Sequence, residues 1–215
     1  MPPLPRSFFA RPTIEVARDL LGLVLRHESP EGPAAGRIVE VEAYLGRDDP
    51  ASHAYRGPTP RARIMYGPPG HAYVYLSYGV NHCVNVVCEP DGTAGAVLLR
   101  ALEPVLGLDL MARRRGCTDP RGFCSGPGKL ARALGIDLAR NGADLTRPPL
   151  SVEDGRLALA PARIETSGRV GLRVAADRPL RFVEAGSRFL SRGPGFGRAG
   201  PKTSGRGSPS PGPRA

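Results

Sequence analysis

The 215-residue sequence predicts an α+β fold, and three observations carry that expectation. Short runs rich in β-branched and aromatic residues recur along the chain, whereas helical periodicity is confined to a few segments. Two of the β-rich runs, residues 72–78 and 80–88, meet at Tyr78-Gly79, the pattern of a hairpin tip. The length suits one domain with a substantial core, and 40% hydrophobic content is ordinary for a globular chain.

Taken in order, Pro12-Thr13 opens a helix that places Ile14, Ala17, Leu20 and Leu21 on one face, and Gly22 stops it. Residues 23–26 read as a short strand. Residues 37–45 (RIVEVEAYL) set Ile38, Val39 and Val41 among charged residues and read as another. Residues 48–70 hold Pro50, Pro58, Pro60, Pro68 and Pro69; they read as a long ordered loop or a series of turns, a length that usually signals function. Alternation in 72–78 puts Tyr73 and Tyr75 on one strand face and Val74 and Leu76 on the other. Residues 96–102 form a strand with Arg100 inside an apolar run, and 106–115 form a helix that ends in Arg113, Arg114 and Arg115. Ser125 caps a helix running to Leu134, with Gly135 as its stop. Shorter strands are expected over 162–165, 170–174 and 180–183. From residue 193 onward the chain is Gly, Pro, Ser and basic residues with no acid. Such a segment buries too little to offset its ordering entropy, so 193–215 is expected as a disordered basic tail on a domain spanning 1–192.

The formal charge is +10, and 28 of the 30 basic residues are arginine; the lysines are Lys129 and Lys202. A coding bias explains the arginine excess as well as function does, yet the charge favours polyanionic partners whatever its origin. No apolar run approaches the ~18 residues of a membrane span. The N-terminal Met1-Pro2-Pro3-Leu4-Pro5-Arg6 lacks the apolar core of a secretory signal. The expectation is a cytoplasmic protein with no membrane partner, nucleoid-associated if bacterial. Cys83, Cys88, Cys117 and Cys124 contain no C-x-x-C and read as small buried thiols, so no metal is expected. Ser125-Gly126-Pro127-Gly128-Lys129 lacks the phosphate-loop pattern, and no cofactor is expected.

All six tyrosines (Tyr44, Tyr55, Tyr66, Tyr73, Tyr75 and Tyr78) fall in one window, with Glu42 at its leading edge. Tyrosine faces among cationic groups suit stacking against nucleobases. Glu42 and Arg100 each interrupt an apolar strand. They are either a partly buried ion pair or a carboxylate base oriented by a guanidinium. Glu40 shares the face of Glu42 in a regular strand, and the pattern alone does not choose between them.

Glu42-Ala43-Tyr44-Leu45-Gly46, His53, PGHAYVYLSYG (residues 69–79), Asn85, LLRALEP (98–104) and CSGPGKL (124–130) resemble the alkyladenine (3-methyladenine) DNA glycosylase family. The resemblance runs in order from about Leu4 to Arg192. It implies a single domain with a curved, mainly antiparallel sheet, flanking helices and a protruding β-hairpin. It also implies a role for each matched residue. Glu42 would be the general base that deprotonates the attacking water, with Arg100 helping to hold water and carboxylate. Tyr44, His53 and Tyr75 would sandwich the extruded base, Asn85 would crowd the amine of normal guanine, and Tyr78 would wedge into the minor groove. Arg56, Thr59, Arg61 and Arg63 are candidates for phosphate contacts, as are Val80, Asn81 and Lys129; the alternative for the 56–63 stretch is a solvated loop. The implied activity is hydrolytic excision of alkylated or deaminated purines from double-stranded DNA by a monomer. The scarcity of lysine argues against Schiff-base strand cleavage. Met65-Tyr66 departs from the family, where Phe is common. Two other classes remain open: a catalytically silent lesion-binding protein, and a hydrolase of free nucleosides or RNA.

Overall fold

The computed structural model describes residues 1–155 and 164–192. Its frame is a single antiparallel sheet. Strands β1 (Val24–Ser29), β2 (Gly32–Tyr44), β3 (Ala72–Ser77), β4 (Asn81–Cys88), β5 (Gly95–Leu106), β6 (Thr146–Arg147) and β7 (Leu150–Glu153) lie in the order β3-β4-β5-β2-β1-β7-β6. Strand β9 (Arg181–Glu184) pairs with residues 40–42 of β2, and β8 (Ile164–Ser167) pairs with β9. Strand β2 is therefore the axis. Along one edge it meets β5; along the other it meets first β1 and then β9.

Register shifts interrupt the β2–β5 ladder at Ala35/Gly36, Ile38/Glu40 and Glu40/Val41. Bulges of this kind bend a strand and steepen its twist, which curls the sheet. Gly36 permits a close approach within the ladder: a Cβ there would lie 2.8 Å from Leu102 Cβ.

Among the described residues four α-helices flank the sheet: α1 (Arg6–Phe9), α2 (Thr13–Leu20), α3 (Leu108–Arg115) and α4 (Pro127–Leu134). Helix α2 packs on β2 and β5, α4 packs on β4 and β5, and α3 packs on α4. The main core joins them through Phe9, Leu20, Ile38, Val41, Leu99 and Phe123, among others. Each such side chain contributes roughly 1.5–3 kcal/mol through burial. A second, smaller cluster lies on the other face, where Ala54, Ala62 and Met65 of the proline-rich loop cover Tyr73, Val87 and Ala96. With both faces covered, β2 is buried almost continuously beyond Arg37, so its residues do not alternate between core and solvent.

Several sequence expectations shift. The buried face of α2 is Thr13, Val16, Ala17 and Leu20; Ile14 is 38% exposed. Strand β5 continues to Leu106, so α3 starts at Leu108. Helix α4 starts at Pro127 with Gly126 at its cap, and Ser125 does not cap it. The Ser125 backbone is engaged instead in a bridge with Ala101. Residues 170–174 are a turn and bend rather than a strand. A Cβ at Gly168 would lie 2.3 Å from the Ala176 carbonyl oxygen, and Gly171 has φ 76°, a backbone unlike a strand's. The expected tail at 193–215, and residues 162–163 of the expected strand over 162–165, lie outside the described residues. Among the described residues no helix is long and apolar enough to cross a membrane.

Candidate active site

The curl of the sheet brings Tyr44 from β2, Tyr75 from β3, Asn85 from β4 and Arg100 from β5 to one cavity of about 430 Å³. His53 and Arg61 from the proline-rich loop and Val170 from the turn after β8 complete its wall. Tyr78 stands at its rim.

Glu42 lies just behind that wall and is fully buried. Its Oε1 accepts from the Val170 N–H at 2.7 Å and pairs with Arg100 Nη1 at 3.3 Å. Its Oε2 accepts from Tyr44 Oη at 3.0 Å. A carboxylate oxygen offers two acceptor positions, so Oε2 retains one. The Tyr44 hydroxyl is held far above the ordinary tyrosine range, first by burial and then by the Glu42 charge, so it remains a donor.

Glu40 is equally buried and has a different environment. Its Oε1 accepts from Arg100 Nε (2.8 Å), Arg181 Nε (2.9 Å) and Ser191 Oγ (2.7 Å), and its Oε2 accepts from the Ser191 N–H (2.6 Å). Burial raises its pKa, but Arg100, Arg181 and the Ser191 donors outweigh that effect and hold it below the usual carboxylate value. Arg100 thus bridges two glutamates, Glu40 with four donors and Glu42 with three.

The aromatic wall is tightly coupled. His53 meets Tyr75 edge-on with centroids 4.8 Å apart, and its Nδ1 lies 2.8 Å from Tyr73 Oη. Arg61 Nε donates to the same hydroxyl at 3.3 Å, and its guanidinium lies 4.6 Å over the Tyr75 ring. Burial, and then the Arg61 charge, lower the His53 pKa to about 4, which leaves the imidazole neutral at neutral pH. Asn85 is held by Nδ2 donating to the Tyr73 carbonyl at 2.9 Å. From the loop after β8, the Arg169 guanidinium lies 4.6 Å over the Tyr44 ring.

Tyr78 is 92% exposed. It and Gly79 both take positive φ (49° and 72°), and the Val80 N–H closes the turn onto the Ser77 carbonyl at 3.1 Å. Positive φ at both central residues matches the twist of a tight hairpin, at about 1–2 kcal/mol for a non-glycine residue. On the hairpin's flank, Val80, Asn81, His82, Arg115, Lys129 and Arg132 line a second cavity of about 230 Å³. A Cβ at Gly128 would meet Asn81 Oδ1 at 2.6 Å, so glycine lets α4 abut the hairpin there.

The candidate phosphate ligands therefore divide. Val80, Asn81 and Lys129 gather in the basic groove. Arg56, Thr59 and Arg63 are exposed on the loop and line neither cavity. Arg61 turns into the aromatic wall. Sequence reasoning gave no part to Arg169, Asp49, Val170, Ser191 or Arg181. An arginine in each of the segments 164–172 and 178–183 is the only signal they leave, because their partners lie more than a hundred residues away.

A family model for methylpurine-DNA glycosylase matches residues 7–188. The chain is 56% identical over 191 residues to a protein of Methanoculleus marisnigri, covering 88% of this chain and 98% of that one. It is 54% identical to a protein of Rhodopseudomonas palustris, with 89% of each covered. It is 46% identical to one of Nitrosospira multiformis, with 87% and 93% covered. All three carry the name "Putative 3-methyladenine DNA glycosylase". A match over nearly the whole described domain, at about half identity to such relatives, shows that this chain belongs to the methylpurine-DNA glycosylase family, enzymes that hydrolyse N-glycosyl bonds.

Proposed function

We propose that the protein flips damaged purines out of duplex DNA and hydrolyses their N-glycosidic bond, with 3-methyladenine, 7-methylguanine, hypoxanthine and ethenoadenine as the substrate class. One observation carries this reading: a buried carboxylate with one open acceptor position stands at the wall of an aromatic cavity, beside an exposed tyrosine on a hairpin tip. A base inside a duplex hides its glycosidic bond, and extruding it costs a few kcal/mol of unstacking. Tyr78 wedges into the space left behind, as side chains do in minor-groove kinking. Tyr44, His53 and Tyr75 stack on the extruded base, and the fixed amide of Asn85 crowds the exocyclic amine of guanine.

In the chemical step, water on Glu42 Oε2 attacks C1′. The new C–O bond forms as the N-glycosidic bond breaks, its electron pair leaves with the purine, and the water proton passes to Glu42. The carboxylate also opposes the positive charge that develops on the sugar. Arg100 pairs with it and keeps it aimed. The Lys129 amine lines the basic groove and not the aromatic cavity, which supports a water-using enzyme without strand cleavage. Val80, Asn81 and Lys129 take backbone phosphates, and the protein acts as a monomer.

The test is a duplex carrying one hypoxanthine or one methylated purine, incubated with protein and then treated with alkali. Strand breaks with wild type and none with Glu42→Gln are expected. Intact strands from every damaged duplex sink the proposal, leaving a lesion binder or a hydrolase of free nucleosides or RNA. Breaks without alkali refute the water-only chemistry.

A further inference from the structure

We propose that Arg169, clamped by Asp49, is the positioning residue that holds the Val170 N–H on Glu42; the inference rests on Glu42 being the base. The argument begins with a loop that lacks its own fastening. Among the described residues, no backbone–backbone hydrogen bond ties residues 168–172 to the rest of the chain. Yet the Val170 N–H sits 2.7 Å from Glu42 Oε1, a close contact that needs the loop held firmly.

The fastening is the Arg169 side chain. It is fully buried, as is Asp49. Its Nη1 donates to Asp49 Oδ2 and, at 2.9 Å, to the Ala43 carbonyl. Its Nη2 donates to Asp49 Oδ1 at 2.7 Å and to Ala175 O at 3.4 Å. Such a two-pronged fork on a carboxylate fixes orientation as well as distance. Asp49 is anchored in turn, accepting from the N–H groups of Leu45 (3.3 Å) and Ala51 (3.1 Å). One guanidinium therefore joins the loop that carries Val170, the β2 backbone beside Glu42, and the segment that leads to His53. It also lies over the Tyr44 ring, whose hydroxyl is the other neutral donor to Glu42.

A buried pair at this distance from the cavity serves either stability or alignment. The groups facing Glu42 are Tyr44 from its own strand, Arg100 from β5 and Val170 from the clamped loop. Loss of the clamp frees the Val170 N–H. The carboxylate then loses one of its three donors and part of the aim of its open acceptor position. Lysine at 169 cannot reproduce the planar fork.

The experiment measures single-turnover excision of hypoxanthine from duplex DNA for Arg169→Lys and the near-isosteric Asp49→Asn, alongside melting curves and duplex affinity. The expected result is a rate loss of at least about tenfold, because small misplacements at a reacting centre carry large penalties. Duplex affinity should be unchanged, so the loss falls on the excision step and not on binding. If Arg169→Lys does not fold, Asp49→Asn decides. Wild-type rates in the folded variants, or a loss carried by weaker duplex binding, overturn the role of Arg169. A wild-type enzyme that leaves hypoxanthine in place defeats the glycosylase reading itself.

Discussion

Glu40 and Glu42 stand two residues apart on the same strand, both fully buried and both touching Arg100, yet their surroundings differ. Around Glu40, two guanidiniums and both donors of Ser191 supply four hydrogen bonds. Around Glu42, a backbone N–H, a phenol and the far prong of Arg100 leave one acceptor position open beside a cavity. Burial and charge alone do not separate a structural carboxylate from a reactive one. On the proposed function, what separates them is an open acceptor position beside a cavity.

The sharpest way to break this comparison is to remove each charge in turn. Glu42→Gln should lower single-turnover excision by about 10²–10⁴-fold, the range of a general base, while duplex binding persists. Activity near wild type would end the distinction. Glu40→Gln should act on the fold, because it leaves Arg100 and Arg181 short of their shared anion. The expected loss is about 3–5 kcal/mol in urea unfolding. The pH dependence follows the same logic. Glu40 sits below its ordinary value of 4.5, so its stabilisation is present above that pH and is lost as pH falls through the folded value. Acid unfolding of Glu40→Gln should accordingly be flatter below about pH 4.5.

A milder probe separates the cavity from the tip. Tyr78→Gly should slow excision from duplex DNA by about tenfold, since part of the few kcal/mol of base opening is no longer offset. Excision from single strands should not change, and stability should stay within about 1 kcal/mol because glycine accepts the positive φ. Equal losses on both substrates would assign Tyr78 to the base pocket instead. The smallest effect concerns the aromatic wall. An NMR titration should place the His53 midpoint at about 4, with Arg61→Gln raising it because the nearby cation is gone. A midpoint that does not move would remove Arg61 from that wall.

Local features were legible in the sequence. The alternation that puts Tyr73 and Tyr75 opposite Val74 is a property of a single strand, and the tip at Tyr78-Gly79 follows from two adjacent ones. The choice between Glu40 and Glu42 was not legible, because it depends on bulges in the β2–β5 ladder and on partners 141 and 151 residues away. The Val170 turn was misread as a strand because its apolar residues resemble one, while its shape comes from Gly168, Gly171 and a buried fork to Asp49. Arg61 was grouped with the phosphate ligands because charge runs are one-dimensional, whereas its stacking on Tyr75 is not.

The hairpin tip has a kinetic consequence. Tyr78 projects from a tight turn that the Val80 N–H closes on the Ser77 carbonyl. On the proposed function, a protein searching a long duplex tests each step many times, and a loop that had to freeze at every test would lose conformational entropy each time. A tip folded in advance makes each trial short, so the pace of the search is set by how readily the DNA opens. Damaged positions, where pairing and stacking are weakest, are then the places where the search pauses.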